Sequence, residues 1–269
     1  MRRRFFSRWI VLAGAASVWF IGSCRPRGDS TLEELSDRRY PVDPATATIS
    51  ITNRDGSIRI YGAGGDVREV RVETVKKAYT PERLKAISIE VTARETSISI
   101  DTIYPPNDAG GAFADRSGTV DYVIVVPQSI KIAKLDLSNG EVLMEEIRSA
   151  DAHAQLGNGR FFVHNCFGNL DIGVKTGNIA LVYEWWEDHD FAIRAAIEDG
   201  NAFAYLPAEA VLHLTARTVT GKIANDFEEM EQRRAESTNQ IDVLVGGADK
   251  PKIEIETQDG NIRIAEHNP

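Results

Sequence analysis

Residues 183–190, Tyr-Glu-Trp-Trp-Glu-Asp-His-Asp, pack aromatics and acids into one short stretch. Tryptophan faces stack on sugar rings, and two carboxylates can divide the roles of acid and base in glycoside cleavage. Glu184 to Asp190 is therefore the place where a carbohydrate-active enzyme would keep its chemistry. The same stretch, with Trp185 and Trp186, also reads as a binding corner or as a corner packed on its own core. Elsewhere the chemistry is sparse. The histidines are His153, His164, His189, His213 and His267, and no two have helical i, i+4 or same-face i, i+2 spacing. No metal site and no cofactor is expected from them. Cys166 follows the apolar Phe161–Val163 and has no neighbouring positive charge in sequence, so it reads as a small packed thiol rather than a nucleophile. The chain has no Gly-x-Ser-x-Gly elbow, no phosphate loop ending in Gly-Lys-Ser/Thr, no His-Glu-x-x-His and no calcium-binding nonapeptide. No catalytic residue is assigned, and the expectation is a protein that is not an enzyme.

Composition narrows the partners. The chain has 269 residues, 42% hydrophobic and 26% charged, as in ordinary globular proteins. The net charge is −9, and the first 23 residues hold four arginines and no acid, which leaves 27 basic against 40 acidic side chains beyond them. So acidic a chain is a poor binder of nucleic acid, which needs Lys and Arg on phosphates. Two cysteines, Cys24 and Cys166, exclude a disulfide framework.

The N-terminus carries an address. Arg2, Arg3 and Arg4 precede an uncharged apolar stretch from Trp9 to Ile21 that ends in small residues. That stretch is about 12 residues, short of the ~20 of a spanning helix, so residues 1–23 read as an export signal in preference to a transmembrane anchor. Its exit, Ile21-Gly22-Ser23-Cys24, resembles the bacterial lipobox. The resemblance implies that Cys24 is diacylated and becomes the mature N-terminus, so that one partner is the membrane. Arg25 after the cysteine, where that family's sorting rule reads Asp as retention, implies the outer membrane or periplasm over the inner membrane. Arg2-Arg3-Arg4-Phe5-Phe6 also resembles, more loosely, a twin-arginine signal. Residues 24–46 have few aliphatics and read as a flexible tether. Its Arg27-Gly28-Asp29 is short enough to be a chance match to an integrin tripeptide.

The elements that would position any site repeat. A turn glycine followed by apolar alternation occurs at Gly56, Gly118, Gly140, Gly159, Gly177, Gly200, Gly221 and Gly260. From Gly118 the spacings are 22, 19, 18, 23, 21 and 39 residues, and Asn239 would split the last. Two and four residues after the glycine stand apolar pairs such as Val142/Met144, Phe161/Val163 and Ile179/Leu181. Five and three before it stand Leu135/Leu137, Ala154/Leu156 and Ile172/Val174. A period of two on both sides of a turn means two half-buried strands. Asn-Gly and Asp-Gly also open hairpins, so a meander sandwich is the alternative. The constant repeat favours an all-β chain, a single-stranded parallel β-solenoid of about 20 residues per coil over residues 119–265. Residues 47–104 lack the regular glycine and read as an N-terminal antiparallel strand cap with a helical turn at Pro81–Lys85. Residues 105–118 read as a mobile loop, and Glu228–Thr238 as a solvated excursion.

Three stretches carry a family likeness. Ile49-Ser-Ile-Thr-Asn-Arg-Asp-Gly-Ser-Ile-Arg-Ile60, the run from Val120 through Pro127 into Leu135–Val142, and Ile253-Glu-Ile-Glu-Thr-Gln-Asp-Gly-Asn-Ile-Arg-Ile264 resemble the bacterial putative-adhesin β-strand-repeat family. That family is a domain of unknown function expected to form β-solenoids on envelope proteins. The likeness spans about residues 47–265 and brings no catalytic residues.

One position supplies a candidate surface. The third residue after the glycine points outward between two buried ones, and it holds Arg59 and Arg263 in the terminal copies but Leu143, Phe162, Ala180, Phe203 and Ala224 between them. Stacked coils would align these as an apolar ladder, a partner site unless an insert such as Trp185 and Trp186 covers it. The expectation is an exported, lipid-tethered envelope protein that binds a protein or polysaccharide through Leu143, Phe162, Phe203, Trp185 and Trp186. The alternatives are the carbohydrate-active enzyme above and a self-assembling envelope scaffold.

Overall fold

A computed structural model describes residues 31–106, 115–225 and 239–267. The export signal, Cys24, the centre of the 105–118 loop and the Glu228–Thr238 run lie outside the described residues. In chain order the elements are β1 (Leu32–Pro41), β2 (Thr48–Ala63), β3 (Glu69–Ala78), α1 (Pro81–Ala86), β4 (Ser88–Arg94), β5 (Ser97–Ile103), β6 (Thr119–Pro127), β7 (Lys131–Glu145), β8 (Ala152–His164), β9 (Leu170–Val182), β10 (Ala192–Leu206), β11 (Leu212–Thr220), β12 (Ile223–Asn225), β13 (Gln240–Val245), β14 (Lys252–Asp259) and β15 (Ile262–Glu266). The fold is all-β and solenoid-like, an open sheet with both parallel and antiparallel pairs. Among the described residues no helix is long and apolar enough to cross a membrane.

The chain does not reverse at the repeat glycine. β2, β7, β8, β9 and β10 pass through it as one extended run with a first leg before the glycine and a second leg after it. Equivalent residues lie side by side in parallel: Leu135 faces Ala154, Ala154 faces Ile172, and Ile172 faces Ala195. The inward residues of both legs, such as Leu135, Leu137, Val142 and Met144, are fully buried and form one core. Each buried Val, Leu or Phe is worth ~1.5–3 kcal/mol over its exposed state. Return segments after β7 and β8 close those coils and add rungs of their own. Glu146 donates its N–H to the carbonyl of His164 at 3.0 Å, and Phe167 and Asn169 donate to Ile147 and Ser149 at 2.9 Å.

Glycine is required at the bend for two reasons, seen at Gly159 and Gly177. Their φ angles are 138° and 143°, a region that L side chains rarely enter. A Cβ on either would lie 1.8 Å from the carbonyl oxygen of the glycine beneath it, Gly140 or Gly159. The column continues through Gly56, Gly200, Gly260 and Gly221. Toward one end a buried hydroxyl meets a column carbonyl: Thr257 Oγ1 donates to Gly200 at 3.2 Å and Thr218 Oγ1 to Gly260 at 2.8 Å.

The order of stacking differs from the order of sequence. β2 pairs with β7 on one side and with β5 and β6 on the other. β14 and β15 slot between β10 and the pair β11 and β12. Residues 48–63 are thus a coil of the stack and not part of a cap over it, so the stack starts earlier than residue 119. The antiparallel strands expected near the N-terminus are β1 on β3, β3 on β6, and β4 on β5. Gly118 is outside the column, because Val120 faces Gly56. Asn239 opens no coil either. β13, with Ile241 and Val243, runs antiparallel to β11.

The expected tether also needs correction. Residues 32–41 form β1, paired along its length with β3. Its apolar signal is weak because charge pairs dress it: Glu34 with Lys76 at 2.8 Å, Asp37 with Arg71 at 2.9 Å and Arg39 with Glu69 at 2.9 Å. The helical turn forms as expected, with Thr80 capping α1 through a 3.2 Å hydrogen bond from Arg83 N to its Oγ1. Arg83 donates to the carbonyls of Ser117 and Pro105, which ties both described ends of the 105–118 segment to α1.

Gly159→Ala is expected to cost about 3 kcal/mol or more in urea unfolding of the full chain, from the forbidden φ plus the clash. Gly65→Ala, at φ 84° with nothing within 4 Å of its added Cβ, is the control and is expected to cost about 1 kcal/mol.

Candidate binding surface

The second legs present the predicted ladder in register. Arg59 faces Leu143, Leu143 faces Phe162, Phe162 faces Ala180, and Ala180 faces Phe203. The next position is Arg263, with Ala224 beyond it. Arg263 therefore interrupts the column, because β15 enters the stack ahead of β12. The uninterrupted apolar segment is Leu143–Phe162–Ala180–Phe203, bounded by an arginine at each end. Rungs of a parallel sheet stand about 4.8 Å apart, so its span is about 14 Å. All four residues are half-buried.

The flanking columns give this strip its chemistry. Two residues nearer the glycine, Arg160 forms an ion pair with Glu141 and lays its guanidinium 6.0 Å from the Phe162 ring centroid. Further along the stack Asn178, Asn201 and Asn261 form a ladder in which each successive backbone N–H donates to the asparagine before it, at 3.3 and 3.0 Å. On the other flank stand Tyr61, Glu145, His164, Val182 and Tyr205. Between Leu143 and His164 the surface dips into a groove of about 380 Å³ that Arg59, Glu141, Glu145 and Phe162 also line. An apolar floor with charged walls of both signs suits an amphipathic ligand.

Trp185 and Trp186 do not cover this strip. Their stretch folds onto the return segment, where Phe167 is the hub: its centroid is 5.3 Å from Tyr183, 6.2 Å from Trp185, 6.1 Å from Trp186 and 5.8 Å from Phe191. Trp186 Nε1 donates to the carbonyl of Val211 at 3.2 Å. Glu187 is paired with Arg148, whose guanidinium also lies 5.6 Å from the Phe167 centroid. Hydrogen bonding from Arg148 holds the Glu187 carboxyl below the usual range, the opposite of what a general acid needs. The corner is packed on its own core, with Trp185 left 37% exposed. The structure thus separates the two Trp from Leu143, Phe162 and Phe203, which sit on another face.

Three of the histidines act as pins between carboxylates. His153 meets Asp151 and Asp171 at 2.9 and 3.5 Å, His164 meets Glu145 and Glu184 at 3.4 Å each, and His213 meets Asp242 and Asp249 at 2.7 and 2.9 Å. In each case the two acids approach opposite ring nitrogens, which cross-links neighbouring segments. Among the described residues no group of three or more His, Cys, Asp or Glu is placed to hold a metal.

A second depression lies on the first legs. It measures about 650 Å³, with Gly173 and Ala196 in its floor and Asp171, Arg194, Arg217 and Glu256 in its walls. Sequence reading missed it. The available signal was a glycine at 173 and an alanine at 196, where outward positions of other coils hold Asp136, Gln155 and Glu256.

Comparison with known proteins places this geometry. The profile of the family described as Toastrack DUF4097 matches residues 29–265. A crystal structure of a putative cell adhesion protein from Clostridium sporogenes superposes with a TM-score of 0.50 at 15% identity, covering 87% of this chain and 100% of that one. A putative adhesin from Bacteroides fragilis has a TM-score of 0.31 at 13% identity, covering 87% of this chain and 97% of that one. No curated protein matches the sequence.

Beneath the aromatic corner, Cys166 is fully buried and its Sγ lies 3.4 Å from the carbonyl of Met144. Burial pushes the thiol up to about 12. Iodoacetamide at pH 8 is expected to leave Cys166 unmodified in the folded chain and to alkylate it in 6 M guanidinium, read by peptide mass mapping. Labelling of the folded protein would show that the corner opens.

Proposed function

The chain belongs to the Toastrack family, and we propose that it is a binding protein of the bacterial cell envelope, an adhesin or scaffold without catalytic activity. The coils of about twenty residues hold a sheet face rigid, and ligand binds to the apolar strip on the second legs. One observation carries this reading: Leu143, Phe162, Ala180 and Phe203 are stacked in register on an outward face. Among the described residues the tryptophans nearest in sequence pack elsewhere. An outward column of a soluble sheet is ordinarily polar, and a run of apolar side chains there marks a partner site. The charge pairs beside it fix register with a partner more than they add affinity. The putative cell adhesion protein from Clostridium sporogenes shares the fold, which is in keeping with a binding role.

The same proposal places the protein in the periplasm or at the cell surface, exported by residues 1–23 and tethered through lipid on Cys24. Lipid chains contribute ~0.8 kcal/mol per buried CH₂, and two or more anchor firmly. Export is supported by the basic head and apolar middle of the N-terminus, and lipidation by the Ile21-Gly22-Ser23-Cys24 exit.

Two measurements check these statements. In bacterial cells Cys24→Ser is expected to move the protein from the membrane to the soluble fraction and to abolish metabolic labelling with palmitate. Retention without label would replace the lipid by an uncleaved anchor. For the strip, the full chain is applied to an immobilised panel of neutral and acidic glycans and of envelope proteins. Phe162→Glu and Phe203→Glu are expected to weaken any specific signal about ten-fold or more, since a buried aromatic anchor is worth about 2 kcal/mol or more. Signals unchanged by both substitutions would move the site off this face.

A further inference from the structure

β1 is an outermost strand of the sheet. β3 occupies one of its edges, and among the described residues nothing pairs with the other. Free edges are usually guarded against pairing by prolines, bulges or charges that repel a second copy. The charges of β1 are arranged differently. Glu33 and Glu34 lie in its first half, Arg38 and Arg39 in its second, and Ser36 lies between. Leu35 is 74% exposed, more than any other large apolar residue described.

We propose that β1 is a homodimerisation edge, pairing antiparallel with β1 of a second copy of this chain about a twofold axis at Ser36. In an antiparallel ladder, facing residues turn their backbone polar groups either both toward each other or both away. Facing residues on a self-paired edge must therefore differ by an even number in sequence. The central registers are then centred on Leu35, Ser36 or Asp37. Centring on Leu35 sets Glu33 against Asp37, and centring on Asp37 sets that carboxylate against itself. Only the Ser36 register sets Glu33 against Arg39 and Glu34 against Arg38, each twice by symmetry. It also brings the two Leu35 side chains together as diagonal neighbours, within reach across the axis.

The groups already present leave room for these pairs. Glu34 meets Lys76 at 2.8 Å, Glu33 meets Lys77 at 3.9 Å, Asp37 meets Arg71 at 2.9 Å and Arg39 meets Glu69 at 2.9 Å, all on the β3 side. A side chain on a strand has a neighbour on either hand, so the second copy supplies the missing one. Arg38 is exposed on the strand, with no charge partner among the described residues.

Sedimentation velocity of the full chain in detergent solution tests the edge. The unmodified chain is expected to form a concentration-dependent dimer. Glu34→Arg and Arg38→Glu each set like charges against one another and are expected to weaken it about ten-fold or more. An equimolar mixture of the two variants is expected to recover it, since the arginine introduced in one variant then meets the glutamate introduced in the other. That recovery also shows that both variants are folded. Ser36→Cys is expected to cross-link across the axis on mild oxidation, mapped by mass spectrometry to residue 36, with Leu35→Cys and Asp37→Cys cross-linking far less. A chain that stays monomeric, a dimer indifferent to both reversals, or variants that fail to recover on mixing would overturn the proposal. Preferential cross-linking at 35 or 37 would overturn the register. Open-ended oligomers lost on substitution in β13 would assign association to the far end of the stack instead.

Discussion

Everything in this fold depends on how closely neighbouring coils approach at one corner. Where the chain bends, the Cα of one glycine lies against the carbonyl oxygen of the glycine below, with no room for a methyl group. The backbone there has a φ that glycine alone adopts freely. These two demands coincide at the same residue in each coil, so the corner tolerates no substitution from either cause. The close approach also sets the register. Once glycine lies on glycine, Leu135 must lie beside Ala154 and Val142 beside Phe161, and the inward side chains of both legs meet in one core. A slip of one residue would turn every buried side chain outward.

Because register is fixed at the corner and held by the core, the outward positions are not needed to set it. They can then differ between the two legs. On the first legs they are mostly charged, as in the row His153, Asp171, Arg194 and Glu254. On the second legs one column is apolar over four coils. Two outer faces of the same strands thus have unlike chemistry on an identical backbone. That is the arrangement expected where the scaffold is held constant and the ligand is chosen by the surface.

The coils are legible because glycine and the two-residue alternation are both local signals, and the apolar ladder follows from them. Less legible is what depends on pairing between distant segments. β1 reads as a tether since Glu33, Glu34, Asp37, Arg38 and Arg39 outnumber its apolar residues. Its partners on β3 are Lys76, Lys77, Arg71 and Glu69, about thirty residues or more away in sequence. The place of Arg263 within the ladder is hidden for a similar reason. A repeat reveals which residues are equivalent but not the order in which the chain stacks them. Likewise the acids at Glu184 and Glu187 attract a catalytic reading, because the arginine that occupies Glu187 is Arg148, far back along the chain.

The shuffled order has a physical rationale. In a linear stack the outermost coil has one neighbour and frays first. Here the first coil in sequence, β2, and the last, β14 with β15, both sit inside the stack with a neighbour on each side. The outermost positions are filled by β5 with β6 and by β11 with β12, internal segments connected to the rest of the chain at both ends. Antiparallel strands then cover their flanks: β3 with β1 on β6, β4 on β5, and β13 on β11. Opening an outermost coil would strip those strands as well, and opening β2 or β14 would break two interfaces instead of one. The ends of this stack are therefore protected by connectivity as well as by cover, while β1, outermost in that cover, has one edge that no described residue pairs with.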